Sequence, residues 1–150
     1  MVMENSYALI TGASSGIGLE IAKDLAGRGY NLILTARRTE LLESISKEIS
    51  EANNVNVDLI SKDLSNYDAP REIFEFCESK NYKVDILINN AGYGIKTSFH
   101  QTSIEDEEAF IRVLGTSVIM LTKLFIPKML QNGSGKVMIC LLYTSPSPRD

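Results

Sequence analysis

Gly12, Gly16 and Gly18 fall between a short apolar run and a helix-patterned segment, and that placement limits the folds open to this chain more than any other feature. Tyr7-Ala8-Leu9-Ile10 reads as a buried strand, while Ile21, Ala22, Leu25 and Ala26 recur at helical spacing. The stretch between them, Thr11-Gly12-Ala13-Ser14-Ser15-Gly16-Ile17-Gly18, is then a strand-to-helix turn. Such a turn presents bare backbone N–H groups and the positive end of a helix dipole, a setting that suits a phosphate. Glycine serves it by tolerating unusual backbone angles and by having no Cβ to hold a ligand away.

The rest of the chain repeats the same alternation. Leu32-Ile33-Leu34 reads as a second buried strand ending near Ala36, and Leu41, Ile45 and Ile49 give a surface helix over 39–52 its inward stripe. Asn53-Asn54 breaks that helix, and Val55, Val57 and Leu59 alternate as a third strand. Asp68-Ala69-Pro70 opens a further helix, with proline tolerated in the first turn. A fourth strand follows over 84–88. A long helix over 104–130 carries Phe110, Leu114, Val118, Leu121, Phe125 and Met129 on one stripe, with Pro127 expected to kink or end it late. A fifth strand begins at Lys136. Strict alternation with short turns predicts an α/β fold, a Rossmann-type doubly wound parallel sheet with helices on both faces and its ligand at the carboxyl ends of the strands.

Composition narrows the function. The 150 residues suffice for one domain and not two, and a net charge of -4 leaves no basic footprint for nucleic acid. No apolar run is expected to reach spanning length, because Lys123 interrupts the longest one, so no membrane partner is expected. Glu4 and the absence of a basic segment before an apolar core argue against a secretory signal. Cys77 and Cys140 make neither a metal-ligand spacing nor a disulfide framework, so no metal is expected and a cytoplasmic setting is the default. His100, on a polar loop, reads as a surface side chain.

The glycine spacing, G-x-x-x-G-x-G, is one residue longer in its first gap than the G-x-G-x-x-G fingerprint and lacks the Gly-Lys-Ser/Thr end of a nucleoside-triphosphate loop. Together with Asn89-Asn90-Ala91-Gly92 directly after the fourth strand, it resembles the short-chain dehydrogenase/reductase family, whose motifs read T-G-x-x-x-G-x-G and N-N-A-G. The resemblance covers residues 5 to 139. It implies an NAD(P)-dependent oxidoreductase, homo-oligomeric when intact, that moves hydride between a nicotinamide cofactor and a small carbonyl or secondary alcohol. The turn residues Gly12, Ser14, Ser15, Gly16, Ile17 and Gly18 then hold the cofactor, with the two serines able to donate to its pyrophosphate. At the end of the second strand an acid would bond a ribose 2′-hydroxyl, whereas arginine accommodates a 2′-phosphate. Arg37 and Arg38 stand there with no acid before Glu40, which favours NADP(H) over NAD(H), Arg37 first. The resemblance further implies an adenine contact at Asp63-Leu64, a strand-tying role for Asn90, and Ala91 and Gly92 beside the cofactor ribose.

The family's chemistry uses a serine after the fifth strand and a Tyr-x-x-x-Lys pair, in which the tyrosine exchanges a proton with the substrate oxygen and lysine lowers its pKa. Neither occurs: Tyr143 is followed four residues later by Ser147, and no lysine lies beyond Lys136, so no catalytic residue is assigned. The family's helix asparagine falls at Leu114. From Cys140 to Asp150 the family pattern stops, and the Pro-rich tail resembles one reading frame of a transposon-end adapter used to build sequencing libraries. The expectation is a cofactor-binding region over 1–139, a non-native tail over 140–150, and an inactive fragment. A dinucleotide-binding module without turnover is the rival reading.

Overall fold

In the computed structural model of the protein, residues 5–140 are described, so the tail from residue 141 onward lies outside the described residues. The order is β1 (Ser6–Thr11), α1 (Gly16–Gly27), β2 (Asn31–Ala36), α2 (Thr39–Asn53), β3 (Val57–Ser61), α3 (Ala69–Ser79), β4 (Lys83–Asn89), α4 (Ile104–Ile111), α5 (Ser117–Gln131) and β5 (Lys136–Ile139). The five strands form one parallel sheet in the order β3-β2-β1-β4-β5. This is the doubly wound sheet that the alternation predicts.

Strand pleating sorts the side chains into two layers. From β1, Tyr7 and Leu9 join Ile33, Leu87, Ile73, Cys77, Leu121, Phe125 and Met129 on the face covered by α3 and α5. Ala8 and Ile10 point the other way, into Leu32, Leu34, Ile86, Ile88 and the stripe Ala22, Ala26, Leu42, Ile45 and Ile49 of α1 and α2. Leu9, Ile10, Leu32, Ile33, Leu34 and Leu87 are 0% exposed, and each such side chain contributes roughly 1.5–3 kcal/mol of transfer free energy. The Cys77 thiol, inside the α3–α5 layer, is pushed up to about 12 by burial first and by the charges of Glu78 and Asp58 second, so it stays protonated and is no nucleophile at neutral pH.

Three helices end on one device. Gly29, Asn81 and Gly133 take positive φ after α1, α3 and α5, and the residue after each donates back five positions: Tyr30 N–H to the Leu25 carbonyl, Tyr82 to Cys77 and Ser134 to Met129. After α1 the left-handed residue is Gly29 and not Gly27, the last residue of the helix.

Three expectations need correction. β3 starts two residues late, because Val55 is buried ahead of the ladder with its carbonyl taken by Ser50 Oγ at 2.7 Å, and the Asn56 N–H is taken by Asn31 Oδ1 at 2.9 Å. The long helix is interrupted by a π turn over Arg112–Thr116, whose extra residue shifts the stripe by one: Val113 and Ser117 are buried, while Leu114 is 38% exposed. Pro127, which is exposed, lies in the last turns of the helix, which ends late, at Gln131. Finally, Ile104–Gln131 forms 28 continuous helical residues with a mean hydropathy of 1.8 in its most apolar window, long and apolar enough to cross a membrane by length and composition. The expected limit at Lys123 counted a run of residues and not the helix. In the fold, Leu121, Phe125 and Met129 of this helix pack on the sheet and α3, and Lys128 pairs with Glu78 at 2.8 Å.

Candidate cofactor site

The sheet changes winding direction between β1 and β4, which are adjacent although three helices and two strands separate them in sequence. Loops leaving the carboxyl ends of these two strands diverge, and the gap between them is where a parallel sheet holds a ligand. One side of the gap is the glycine turn. Gly12 has φ +65°, and a Cβ there would lie 2.8 Å from Ala91 Cα. Gly16 has φ +58° and faces open space. Gly18 has the tightest surroundings, with an added Cβ 2.3 Å from Asn90 Nδ2 and 2.4 Å from the Gly12 carbonyl oxygen. Ser15 caps α1 in extended conformation, yet its side chain makes no capping hydrogen bond and the first turn carries no acid. Ala13 N–H is taken by the Thr35 carbonyl at 3.3 Å, but the N–H groups at the start of α1 are left for something other than a side-chain cap.

The opposing loop is tied to this turn by hydrogen bonds. Thr11 Oγ1 accepts the N–H groups of Asn90 at 3.0 Å and Ala91 at 2.9 Å, and Asn90 Nδ2 donates to the Thr11 and Gly12 carbonyls, both at 3.1 Å. The motifs after β1 and β4 thus form one rigid unit.

A cleft of about 560 Å³ opens above them. Its lining includes Gly12, Ser14, Ser15, Gly16 and Ile17 from the turn, Arg37 and Arg38 after β2, Asp63 and Leu64 after β3, and Asn90, Ala91 and Gly92 after β4. Gly18 does not line it; the missing side chain there lets α1 sit against Asn90. Asp63 Oδ1 accepts the Ser65 N–H at 2.9 Å and shapes its loop, while Leu64, 7% exposed, anchors the loop in the core. Ser61 Oγ donates to the Arg37 carbonyl at 3.0 Å, and the Lys62 N–H donates to the Ala36 carbonyl at 3.1 Å, so the end of β3 pins the arginine loop. Among the described residues neither Arg37 nor Arg38 has a carboxylate partner. His100 lies on an exposed turn outside the lining.

Several lining residues were not anticipated. Lys62 and Tyr93 adjoin motif residues and could have been read from that adjacency. Thr35, Ala109 and Val113 carry no signal in the sequence, since only the fold brings them to the cleft. Thr35 Oγ1 is buried and has no protein partner. The donor set fits a phosphorylated dinucleotide: uncapped N–H groups and serines at the turn, free guanidinium groups at one end, and an orphaned hydroxyl in the wall.

The model of the family described as short chain dehydrogenase matches residues 6–141. The chain belongs to the short-chain dehydrogenase family. A very-long-chain 3-oxoacyl-CoA reductase of Kluyveromyces lactis is 35% identical over 133 residues, which cover 84% of this chain and 37% of that protein. Among solved structures, a metagenomic short-chain oxidoreductase in complex with NADP is similar at a TM-score of 0.85 and 30% identity, covering 95% of this chain and 66% of that one. A short-chain dehydrogenase from Sphingobium yanoikuyae in complex with NADPH is similar at 0.83 and 30%, covering 89% and 52%. This short-chain dehydrogenase chain spans less than two thirds of the length of the curated relatives it matches. The match also runs past residue 139, where the family pattern was expected to stop. Cys140 continues the ladder, its N–H donating to the Asn89 carbonyl at 2.9 Å.

Proposed function

We propose that this chain is the NADP(H)-binding part of an oxidoreductase that moves hydride between NADP(H) and a small carbonyl or secondary alcohol. The observation that carries the reading is the arginine pair, Arg37 and Arg38, lining the β2 end of a cleft whose other end is an uncapped glycine turn. Arginine meets a phosphate through paired donors and keeps its charge at any working pH. The turn residues and Asn90, Ala91 and Gly92 would hold the pyrophosphate and the ribose, and Asp63 with Leu64 would flank the adenine. When bound, the nicotinamide supplies the hydride. The chain's own part is to orient the dinucleotide and to fix the turn through Thr11 and Asn90. The solved relatives complexed with NADP and NADPH support the same cofactor.

Titrating the 150-residue chain with NADPH and NADH, followed by nicotinamide fluorescence, tests this. One charge-assisted phosphate contact predicts at least about tenfold tighter binding of NADPH. Equal or tighter binding of NADH would overturn the assignment.

The 150 residues contain no Tyr-x-x-x-Lys after β5, so we read residues 1–139 as the cofactor half of the catalytic domain, residues 140–150 as a foreign tail whose first residue still bonds to β4, and the chain alone as inactive. Sequencing the source gene across codon 140 is expected to show a longer frame carrying Tyr-x-x-x-Lys. The same tail in the genome would favour a binding module without turnover. We assign a cytoplasmic setting and no membrane or nucleic-acid partner, supported by the net charge of -4 and by the packing of the long helix on the sheet. Exposed Ile119, Ile126 and Leu130 on the outer face of α5 support a homo-oligomeric intact protein.

A further inference from the structure

Five charged side chains converge where β2 and β3 end: Arg37, Arg38, Lys62, Asp63 and, from α3, Glu72. The two arginines were expected from the sequence; Lys62, which precedes Asp63, was not among the expected residues. Its backbone N–H is fixed to the Ala36 carbonyl at 3.1 Å, which sets Lys62 beside Arg37 as the next step of the β2–β3 pairing after Ala36 and Ser61. Its side chain lines the same cleft, is 31% exposed, and ends in an ion pair with Glu72, itself 48% exposed. A lysine kept for solubility would extend into water. This one is half-sheltered at the mouth of a cleft whose anionic ligand, on the reading above, brings a phosphate to this end.

We infer that Lys62 is a third cation for the 2′-phosphate of NADP(H), and that Glu72, by holding its ammonium, tunes how strongly the site discriminates that phosphate. The inference rests on the NADP(H) reading. A phosphate monoester carries about −1.5 to −2 charges at neutral pH and gains from each added cation within a few ångströms. Glu72, which does not line the cleft, acts oppositely by competing with the phosphate for the Lys62 ammonium. The pair is therefore a specificity device, in which a positioning carboxylate limits the reach of a binding lysine. Asp63 is partly occupied by the Ser65 N–H, so Glu72 is the carboxylate that governs Lys62.

Calorimetric titration with NADPH, NADH, adenosine 2′,5′-bisphosphate and adenosine 5′-monophosphate tests this on the wild-type chain, Lys62→Met, Glu72→Gln and the double variant. Lys62→Met is expected to weaken NADPH and the bisphosphate about fivefold while changing NADH and the monophosphate less than about twofold. Glu72→Gln is expected to tighten the two 2′-phosphate ligands about twofold to threefold, a gain that misfolding cannot imitate. In the Lys62→Met background the Glu72→Gln gain should vanish, since two residues acting through one contact are not additive. Equal shifts for phosphorylated and unphosphorylated ligands, no shift at all, or a Glu72→Gln gain that survives without Lys62 would overturn the inference and leave the NADP(H) reading standing. A wild-type chain that binds NADH as tightly as NADPH would overturn both.

Discussion

Gly18→Ala is expected to lower the stability of the folded chain by about 3–4 kcal/mol, a larger loss than any surface substitution would give. The methyl group would sit 2.3 Å from Asn90 Nδ2 and 2.4 Å from the Gly12 carbonyl oxygen, and the second of these neighbours is backbone that cannot swing aside. Relief requires either lifting α1 off the sheet end or expelling the Asn90 carboxamide. Expulsion strips the Thr11 and Gly12 carbonyls of their donor, both bonds being 3.1 Å long, and leaves polar groups unpaired at about 1–3 kcal/mol each. Lifting α1 uncovers Ala22 and Ala26, which are 0% and 1% exposed. Gly16→Ala supplies the control. It meets nothing within 4 Å and suffers only from φ +58°, a cost of about 1–2 kcal/mol. Urea unfolding followed by far-ultraviolet circular dichroism compares the two, and a Gly18→Ala midpoint at or above that of Gly16→Ala would refute the packing role.

That contrast shows what kind of information the sequence carries. The three glycines mark the turn because a backbone forced into close approach needs them, and Asn90 follows because a carboxamide can serve two carbonyls at once. Such demands fall on residue type at a fixed spacing, so they are legible. The sequence does not separate the glycines by task, and Gly18 serves the packing of α1 on Asn90 without lining the cleft. The β3 boundary was misplaced because Val55 is buried like a strand residue, while the Asn31 and Ser50 side chains take the backbone groups around it. Neither side chain advertises that role. The π turn at Arg112–Thr116 was invisible for a different reason. Apolar residues at both 113 and 114 let a regular helix be drawn through Leu114, and only packing on the sheet selects Val113. Val113 and Ala109 then reach the cleft from a helix far along the chain, as Lys62 does from the end of β3.

Arg37→Asp is expected to weaken NADPH binding about a hundredfold or more while leaving NADH binding unchanged or tighter. The substitution removes a cation and adds an anion, so the phosphate loses a paired donor and meets a repulsive charge in a partly sheltered cleft. A ribose with a free 2′-hydroxyl finds in the same carboxylate an acceptor, the arrangement that selects NAD(H) in dinucleotide folds. Because the Arg37 backbone is held by Ser61 Oγ at 3.0 Å, the exchange replaces the side chain without freeing the loop. Arg38→Asp separates charge from position. Arg38 is the N-cap of α2 and makes no side-chain capping bond, so an aspartate there gains a cap and should stabilise the chain by about 0.5–1 kcal/mol. Its NADPH affinity should fall by less than that of Arg37→Asp. Calorimetric titration of both variants with both cofactors, with urea midpoints recorded alongside, reads the two effects independently. An unchanged preference for NADPH in Arg37→Asp would remove Arg37 from the phosphate site. A larger loss in Arg38→Asp than in Arg37→Asp would transfer the role to the helix cap, where the guanidinium would act with the exposed N–H groups of α2.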